Sequence, residues 1–516
     1  MTRERRGAVP RTFFLNEQHE LAHREKEGGG GMPKLAPLDW AAKGRRIQKT
    51  LTAARQTVLA SRDPLREARF FIAAIPSKTV VKESKNSRRA PDGTFEHVPA
   101  YAGEDSRTFR RLGLDLLGVD AGGRALVHAS ADRIEQLVLT SAALSSEGLR
   151  ERARWVTIDA FEPAPSSFRV DESWLTSLER SKTFDTVVEL QPLLSRVEVE
   201  QVVRAIIEIL GPSARDERFN RMGTDFSGRH WYRGALSRES LKLIAETFYS
   251  VSSIHPPLKT AIACAARRAP GGRSPSAPAV PPNVSSLPTV AIVDTGVPSG
   301  HPLLAPYRTG AYVNPDGPAP YLGDHGSLVA SRAVFGDQDM SGGVTNPTGD
   351  CAFVDVSIAE SVDEIDDKAL FPAINAVLGT YPNVRVFNLS FGDYRPLSAY
   401  DDIARREKLI LLRDLDNLVF ARDIIVVVSA GNSKEGVVPN PSYPDHMDVP
   451  EWALGSWASG FNTLKCGSLV EQLTPGGLVK NAGWPSPFTR VGPGLCGAPV
   501  PEFGAHGGNC VKARPH

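Results

Sequence analysis

Five cysteines in 516 residues are few and odd in number, and no two are spaced as C-x-x-C. Neither a disulfide framework nor a zinc knuckle is written into such a chain. Long apolar runs are missing too, since none approaches the roughly 20 residues that a membrane helix needs. The first thirty residues mix Arg, Glu and His around the short run Phe13-Phe14-Leu15, which is not the core of a signal peptide. Charge of one sign is equally scarce: 60 Lys plus Arg against 59 Asp plus Glu leave a formal +1. That field is too weak to hold a polyanion by neutralising phosphates. The expectation is a soluble protein of the reducing cytoplasm with no nucleic acid and no membrane among its partners.

What is there is globular. Hydrophobic residues make up 41% and charged residues 23%, enough to bury cores over most of the length, and the length allows about two to four domains. Residues 1–60 read as a polar arm containing Gly28 to Gly31 and ending in a basic, helix-compatible stretch from Trp40 to Arg62. The apolar run Phe70 to Ile75 predicts a strand, and the charged run Lys82 to Arg89 a solvated loop. A helical segment near Arg107–Leu117, a strand at Ala125–His128, a helix over Ala131–Leu144 and a strand at Trp155–Phe161 follow. A similar order recurs from Thr186 to Ile254, where Val199, Val202, Val203, Ile206 and Leu210 keep the 3.6-residue period of a helix and Ser237 stands as an N-cap. This gives one α+β domain over 61–170 and a second over 171–266, each compatible with a ferredoxin-like architecture.

Residues 267–288 are rich in Pro, Gly and Ser and read as a linker. Beyond it, over 289–516, the texture becomes α/β. The apolar runs Val290–Val293, Val384–Leu389 and Ile424–Val428 suit a parallel sheet buried on both faces, with helical patterns at Ser327–Phe335, Ala369–Leu378 and Ile403–Phe420 between them.

Three segments of this half carry chemistry. In Val290-Ala291-Ile292-Val293-Asp294-Thr295-Gly296 a carboxylate ends a buried strand, the end at which open parallel sheets bind ligands. Gly323-Asp324-His325-Gly326-Ser327 puts a histidine among small neighbours at a helix start, and Val427-Val428-Ser429-Ala430-Gly431-Asn432 ends another buried strand in an amide. A single Asp-Thr-Gly is also the mark of an aspartic protease, which would then need two copies of the chain to pair its carboxylates. The order Asp, His, strand-terminal Asn instead resembles the subtilisin-like serine proteases, the subtilases of peptidase family S8. The resemblance implies that Asp294 orients the imidazole, His325 is the general base and Asn432 holds the oxyanion. Val386-Phe387-Asn388-Leu389-Ser390-Phe391-Gly392 is similar to the family's strand that pairs with substrate backbone, which implies Ser390, Phe391 and Gly392 as substrate contacts. Phe488-Thr489-Arg490-Val491-Gly492 resembles the segment before the nucleophile region.

The nucleophile itself is unknown. In that family it lies in Gly-Thr-Ser-x-Ala-x-Pro, and no Gly-Thr-Ser occurs in the 516 residues. The expectation is therefore a serine endopeptidase domain incomplete at its C-terminus, inactive as written through truncation, frameshift or a pseudoprotease state. The alternative is a non-catalytic protein that captures extended peptides or a protein partner. The resemblance implies no metal and no organic cofactor. It leaves the N-terminal half as an inhibitory prosegment or a module for docking a protein partner.

Overall fold

The computed structural model describes residues 39–509, apart from 77–86, 90–94, 98–108, 121–122, 149–150, 153, 181, 212–220, 226–227, 262–282, 337–347, 363, 394, 433–441 and 474. Most of the polar arm, most of the 267–288 linker, much of the Lys82–Arg89 run, Cys264 and Cys510 lie outside the described residues. The described residues divide into two compact units, 39–257 and 258–509.

The N-terminal unit runs α1 (Trp40–Leu59), β1 (Arg69–Pro76), β2 (Ser87–Arg89), β3 (Phe95–His97), β4 (Asp115–Val119), β5 (Ala125–Ser130), α2 (Ala131–Ala142) and β6 (Ile158–Pro163). It continues with α3 (Glu172–Ser177), β7 (Thr183–Leu190), α4 (Arg196–Leu210), β8 (Arg221–Thr224), β9 (His230–Ser237), α5 (Arg238–Thr247) and β10 (Val251–His255). Two antiparallel four-stranded sheets result, ordered β4-β5-β1-β6 and β10-β7-β9-β8. The helices start where side chains can satisfy orphan N–H groups. Ser237 caps α5 through Ser240 N–H, and Ser195 with Glu198 forms a reciprocal capping box on α4. Val199, Val202 and Ile206 turn inward on α4, and one apolar core runs from Ile47 through Phe71, Trp155 and Val188 to Phe248.

The helical pattern near 107–117 is realised only in its first part. Among the described residues Phe109–Arg111 are helical, the chain turns at Gly113 with φ +64°, and Asp115–Val119 pairs with β5. A glycine in the left-handed region stops the turn without steric cost. The hairpin returns through the bond from Asp120 N–H to Arg124 O.

The C-terminal unit begins with β11 (Lys259–Ala261), then β12 (Thr289–Asp294), β13 (Arg308–Val313), α6 (His325–Phe335), β14 (Ala352–Ser357), β15 (Glu364–Asp366) and α7 (Leu370–Thr380). It ends with β16 (Val386–Leu389), α8 (Asp402–Arg422), β17 (Ile425–Ser429), β18 (Leu464–Val470), β19 (Trp484–Pro485) and β20 (Phe503–His506). Its sheet is ordered β13-β14-β12-β16-β17-β18-β19, with β20 on β18, and is parallel from β13 to β18. Alternate residues of β12 feed opposite faces. Ala291 and Val293 join the core under α7 and α8, while Ile292 packs with Ala330, Val334 and Phe353 under α6. Strand β11, within the range read from sequence as the second α+β domain, belongs to this unit, where it pairs antiparallel with β15. Among the described residues no helix is long and apolar enough to cross a membrane.

Candidate active site

Asp294 is the last residue of β12 and is 1% exposed. Its Oδ1 accepts the Thr295 N–H at 2.8 Å. Gly296 follows at φ +89°, and a Cβ there would stand 2.1 Å from Pro320 O, so only glycine fits the turn. A Cβ on Gly326 would meet Gly296 O at 2.5 Å. The two glycines thus let the end of β12 and the start of α6 touch backbone to backbone. Thr295 closes the contact, its Oγ1 accepting Gly326 N–H at 2.9 Å. That approach sets His325, the first residue of α6, beside the carboxylate: Nδ1 lies 2.8 Å from Asp294 Oδ1 and 2.9 Å from Oδ2. A carboxylate on Nδ1 places the proton there and leaves Nε2 as the basic nitrogen. Asp324, the neighbour in sequence, accepts a hydrogen bond from Tyr321 Oη at 2.5 Å.

A second buried carboxylate lies behind the first. Asp355 on β14 accepts Val297 N–H at 3.2 Å and pairs with Arg308 at 2.7 Å. Burial pushes its pKa up to about 6, with Arg308 opposing and Asp294 adding to the rise.

The segment after β16 contributes mainly backbone. Ser390 Oγ donates to Asn388 Oδ1 at 2.7 Å. The Phe391 ring is buried in the core while its carbonyl accepts from Ser429 Oγ at 3.1 Å. Gly392 N–H donates to Ala261 O at 3.2 Å, a single hydrogen bond from this edge to the chain's own β11. A Cβ on Gly392 would lie 2.9 Å from Gly431 Cα, which brings the 390–392 edge against the loop that ends in Asn432. Gly431 has φ +93°. Asn432 bridges to Thr489, and its carbonyl accepts from Arg490 Nε at 3.2 Å. Arg490 also donates from Nη1 to Glu451 O at 2.8 Å and Ala453 O at 2.7 Å. Its burial pulls the guanidinium down to about 10, with Asp393 opposing. It clamps the Asn432 loop.

Asp294 and His325 are thus joined by direct hydrogen bonds, and the 390–392 edge meets the Asn432 loop through Gly392 and Gly431. His301 and His506 stand outside this network: His301 Nδ1 accepts from Leu303 and Leu304 N–H in its own turn, and His506 pairs with Glu471. Sequence reasoning passed over Arg490 as an anchor and also passed over a buried polar cluster made by Thr260, Asp367, Asp393, Lys408 and Trp457. Single polar residues on apolar elements give no local signal.

Comparison with known proteins agrees on the family of this half: the subtilase family model matches residues 285–515, and the chain is subtilase-like over that span. The uncharacterised protein y4bN of Sinorhizobium fredii is 32% identical over 117 residues, covering 19% of this chain and 26% of its own. The chain thus spans about a quarter of the length of that curated relative. A mutant of the epidermin leader peptide processing serine protease of Staphylococcus aureus is 16% identical, covering 60% of this chain and 73% of its own, with a TM-score of 0.38. A mutant of the protease domain of PatA is 20% identical over 40% of this chain and 62% of its own, with a TM-score of 0.25.

Proposed function

We propose that the subtilase-like C-terminal unit is the peptide-binding and proton-transfer part of a serine endopeptidase. The observation that supports this best is His325 Nδ1 held by both oxygens of the buried Asp294. In the proposed reaction Nε2 of His325 takes the proton of an attacking serine hydroxyl as the acyl bond forms, then returns it to the leaving amine. Asn432 stabilises the oxyanion, and Arg490 fixes the loop that carries it. Substrate lies extended along Ser390, Phe391 and Gly392, whose backbone offers the pairing edge.

No Gly-Thr-Ser is present in the sequence, so binding and turnover separate in this proposal. These 516 residues capture an extended peptide without cleaving it, and turnover requires a serine presented to His325. A triad lacking its nucleophile retains only about 10³–10⁴ over water. The test is one chain and two probes: a fluorogenic peptide for binding and hydrolysis, and a serine-directed phosphonate for labelling. Saturable peptide binding without label or hydrolysis is expected once β11, whose Ala261 carbonyl takes the Gly392 N–H in the intact chain, is displaced from that edge. Labelling that disappears in His325→Ala would show a resident nucleophile, and absence of peptide binding by a chain whose β11 is displaced would sink the reading altogether.

A further inference from the structure

Strand β11 is only three residues long, and its partners treat its side chains very differently. Lys259, Thr260 and Ala261 pair with Asp366, Ile365 and Glu364 of β15, and Ala261 O takes the Gly392 N–H on the other side. Side chains of a strand alternate in direction. Lys259 reaches Glu364 at 2.9 Å and Glu360 at 3.2 Å. Thr260 enters the protein and is fully buried. There its hydroxyl donates to Asp367 Oδ1 at 2.6 Å and accepts from Trp457 Nε1 at 2.9 Å and Lys408 Nζ at 3.2 Å. A hydroxyl has one proton and two lone pairs, and all three are used.

The surroundings are built around that hydroxyl. Lys408 and Asp367 are buried and lie 2.5 Å apart, with Asp393 at 3.4 Å from the ammonium. Burial alone would lower the Lys408 pKa, but the two carboxylates override it and hold the pKa above its ordinary value. Ser456 donates to Asp393, and the Tyr400 ring faces the ammonium at 5.4 Å. Asp393 directly follows Gly392, so the cluster lies next to the backbone edge to which Ala261 of β11 is hydrogen-bonded.

We propose that Asp367, Lys408 and Trp457 form a hydroxyl-reading side-chain pocket of the peptide groove, selecting extended peptides with Thr or Ser preceded by a basic residue, and that Thr260 fills it. The proposal rests on the reading of the 390–392 edge as a peptide groove. An isosteric valine would leave a carboxylate, an ammonium and an indole N–H facing methyl groups in a dry site, the situation in which a polar pocket rejects an analogue most strongly.

The test uses the full chain with Thr260→Val and, as the conservative control, Thr260→Ser. Trypsin cleavage after Lys259 reports release of β11, and labelled Leu-Lys-Thr-Ala and Leu-Lys-Val-Ala peptides are titrated by fluorescence anisotropy. Cleavage of Thr260→Val about tenfold faster than of Thr260→Ser is expected, with the Thr peptide binding the released groove about tenfold more tightly than the Val peptide. Should Thr260→Val not fold, Thr260→Gly vacates the pocket and takes its place in both measurements. Equal cleavage of the two variants, or equal affinity for the two peptides, overturns the pocket and leaves the groove standing. Failure of both peptides to bind a chain whose Lys259 has become accessible overturns the pocket and the groove together.

Discussion

The two units use their polar and charged pairs differently. In the N-terminal unit they tie elements to one another: Arg69 of β1 meets Glu198 of α4 at 2.5 Å, where the same carboxylate closes the capping box with Ser195, and buried Glu189 of β7 meets His255 of β10 at 3.2 Å. In the C-terminal unit they gather where strands end, at Asp294 with His325, Arg490 with the Asn432 loop, and Lys408 with Asp367 and Asp393. The first arrangement fastens elements that apolar packing already brings together. In the proposed function the second sets a surface for a guest, because strand ends in a parallel sheet leave backbone groups and short loops that no neighbouring strand covers.

That contrast can be broken by substitution, and the largest effect should come from Lys408→Met. It leaves Asp367 and Asp393 buried without their cation, at a cost of about 3–5 kcal/mol; urea unfolding followed by hydrogen exchange should place the whole loss in residues 258–509. Next comes acid titration, where the two units should respond with opposite sign. The Asp355 pKa is raised from 3.8 to about 6, so its ionisation weakens the C-terminal unit progressively as pH rises from 3.8 through 6, by about 3 kcal/mol. Asp355→Asn should flatten the profile over that window, and an unchanged profile would count against burial as its cause.

Gly326→Ala should cost about 1–3 kcal/mol, because its Cβ would press on Gly296 O at 2.5 Å. The displaced His325 should show in its imidazole NMR shifts as well as in a lower melting temperature. The smallest effect belongs to Glu198. The Arg69 hydrogen bond holds its pKa down at about 2 against an ordinary 4.5, so its contribution is present above pH 4.5 and lost as pH falls toward 2. For a partly solvated pair that is about 0.2–1 kcal/mol. Glu198→Gln should remove this acid-side loss from residues 39–257 and leave the Asp355 window untouched.

Much of the fold and the Asp294–His325 pair of the candidate site could be read in advance for a local reason. An apolar run suits a strand of a parallel sheet covered by helices, so Val290–Val293 and Ile424–Val428 announce themselves, although Ile425 is 46% exposed in the structure, and the residue ending such a run is placed by the same pattern. The helix over 131–142 and the N-cap at Ser237 were legible likewise. The end of the 107–117 helix was not, because Phe109–Arg111 are helical as read but Gly113, at φ +64°, stops the helix and Asp115–Val119 becomes a strand. Phe391 illustrates a different limit. It sits in the segment proposed to pair with substrate, yet its ring belongs to the core, and the edge is offered by backbone that any sequence could supply.

The sequence by itself determined the Asp294, His325 and Asn432 series and the buried strands that carry it, since glycines and apolar runs within a few residues dictate those turns. Only the tertiary structure decided that Thr260 would meet Asp367, Lys408 and Trp457, which lie 107, 148 and 197 residues away along the chain. A hydroxyl finds a carboxylate, an ammonium and an indole by position in space. Nothing in the spacing of those residues records the meeting, because each is held by a different element and the pocket exists only when all of them are packed.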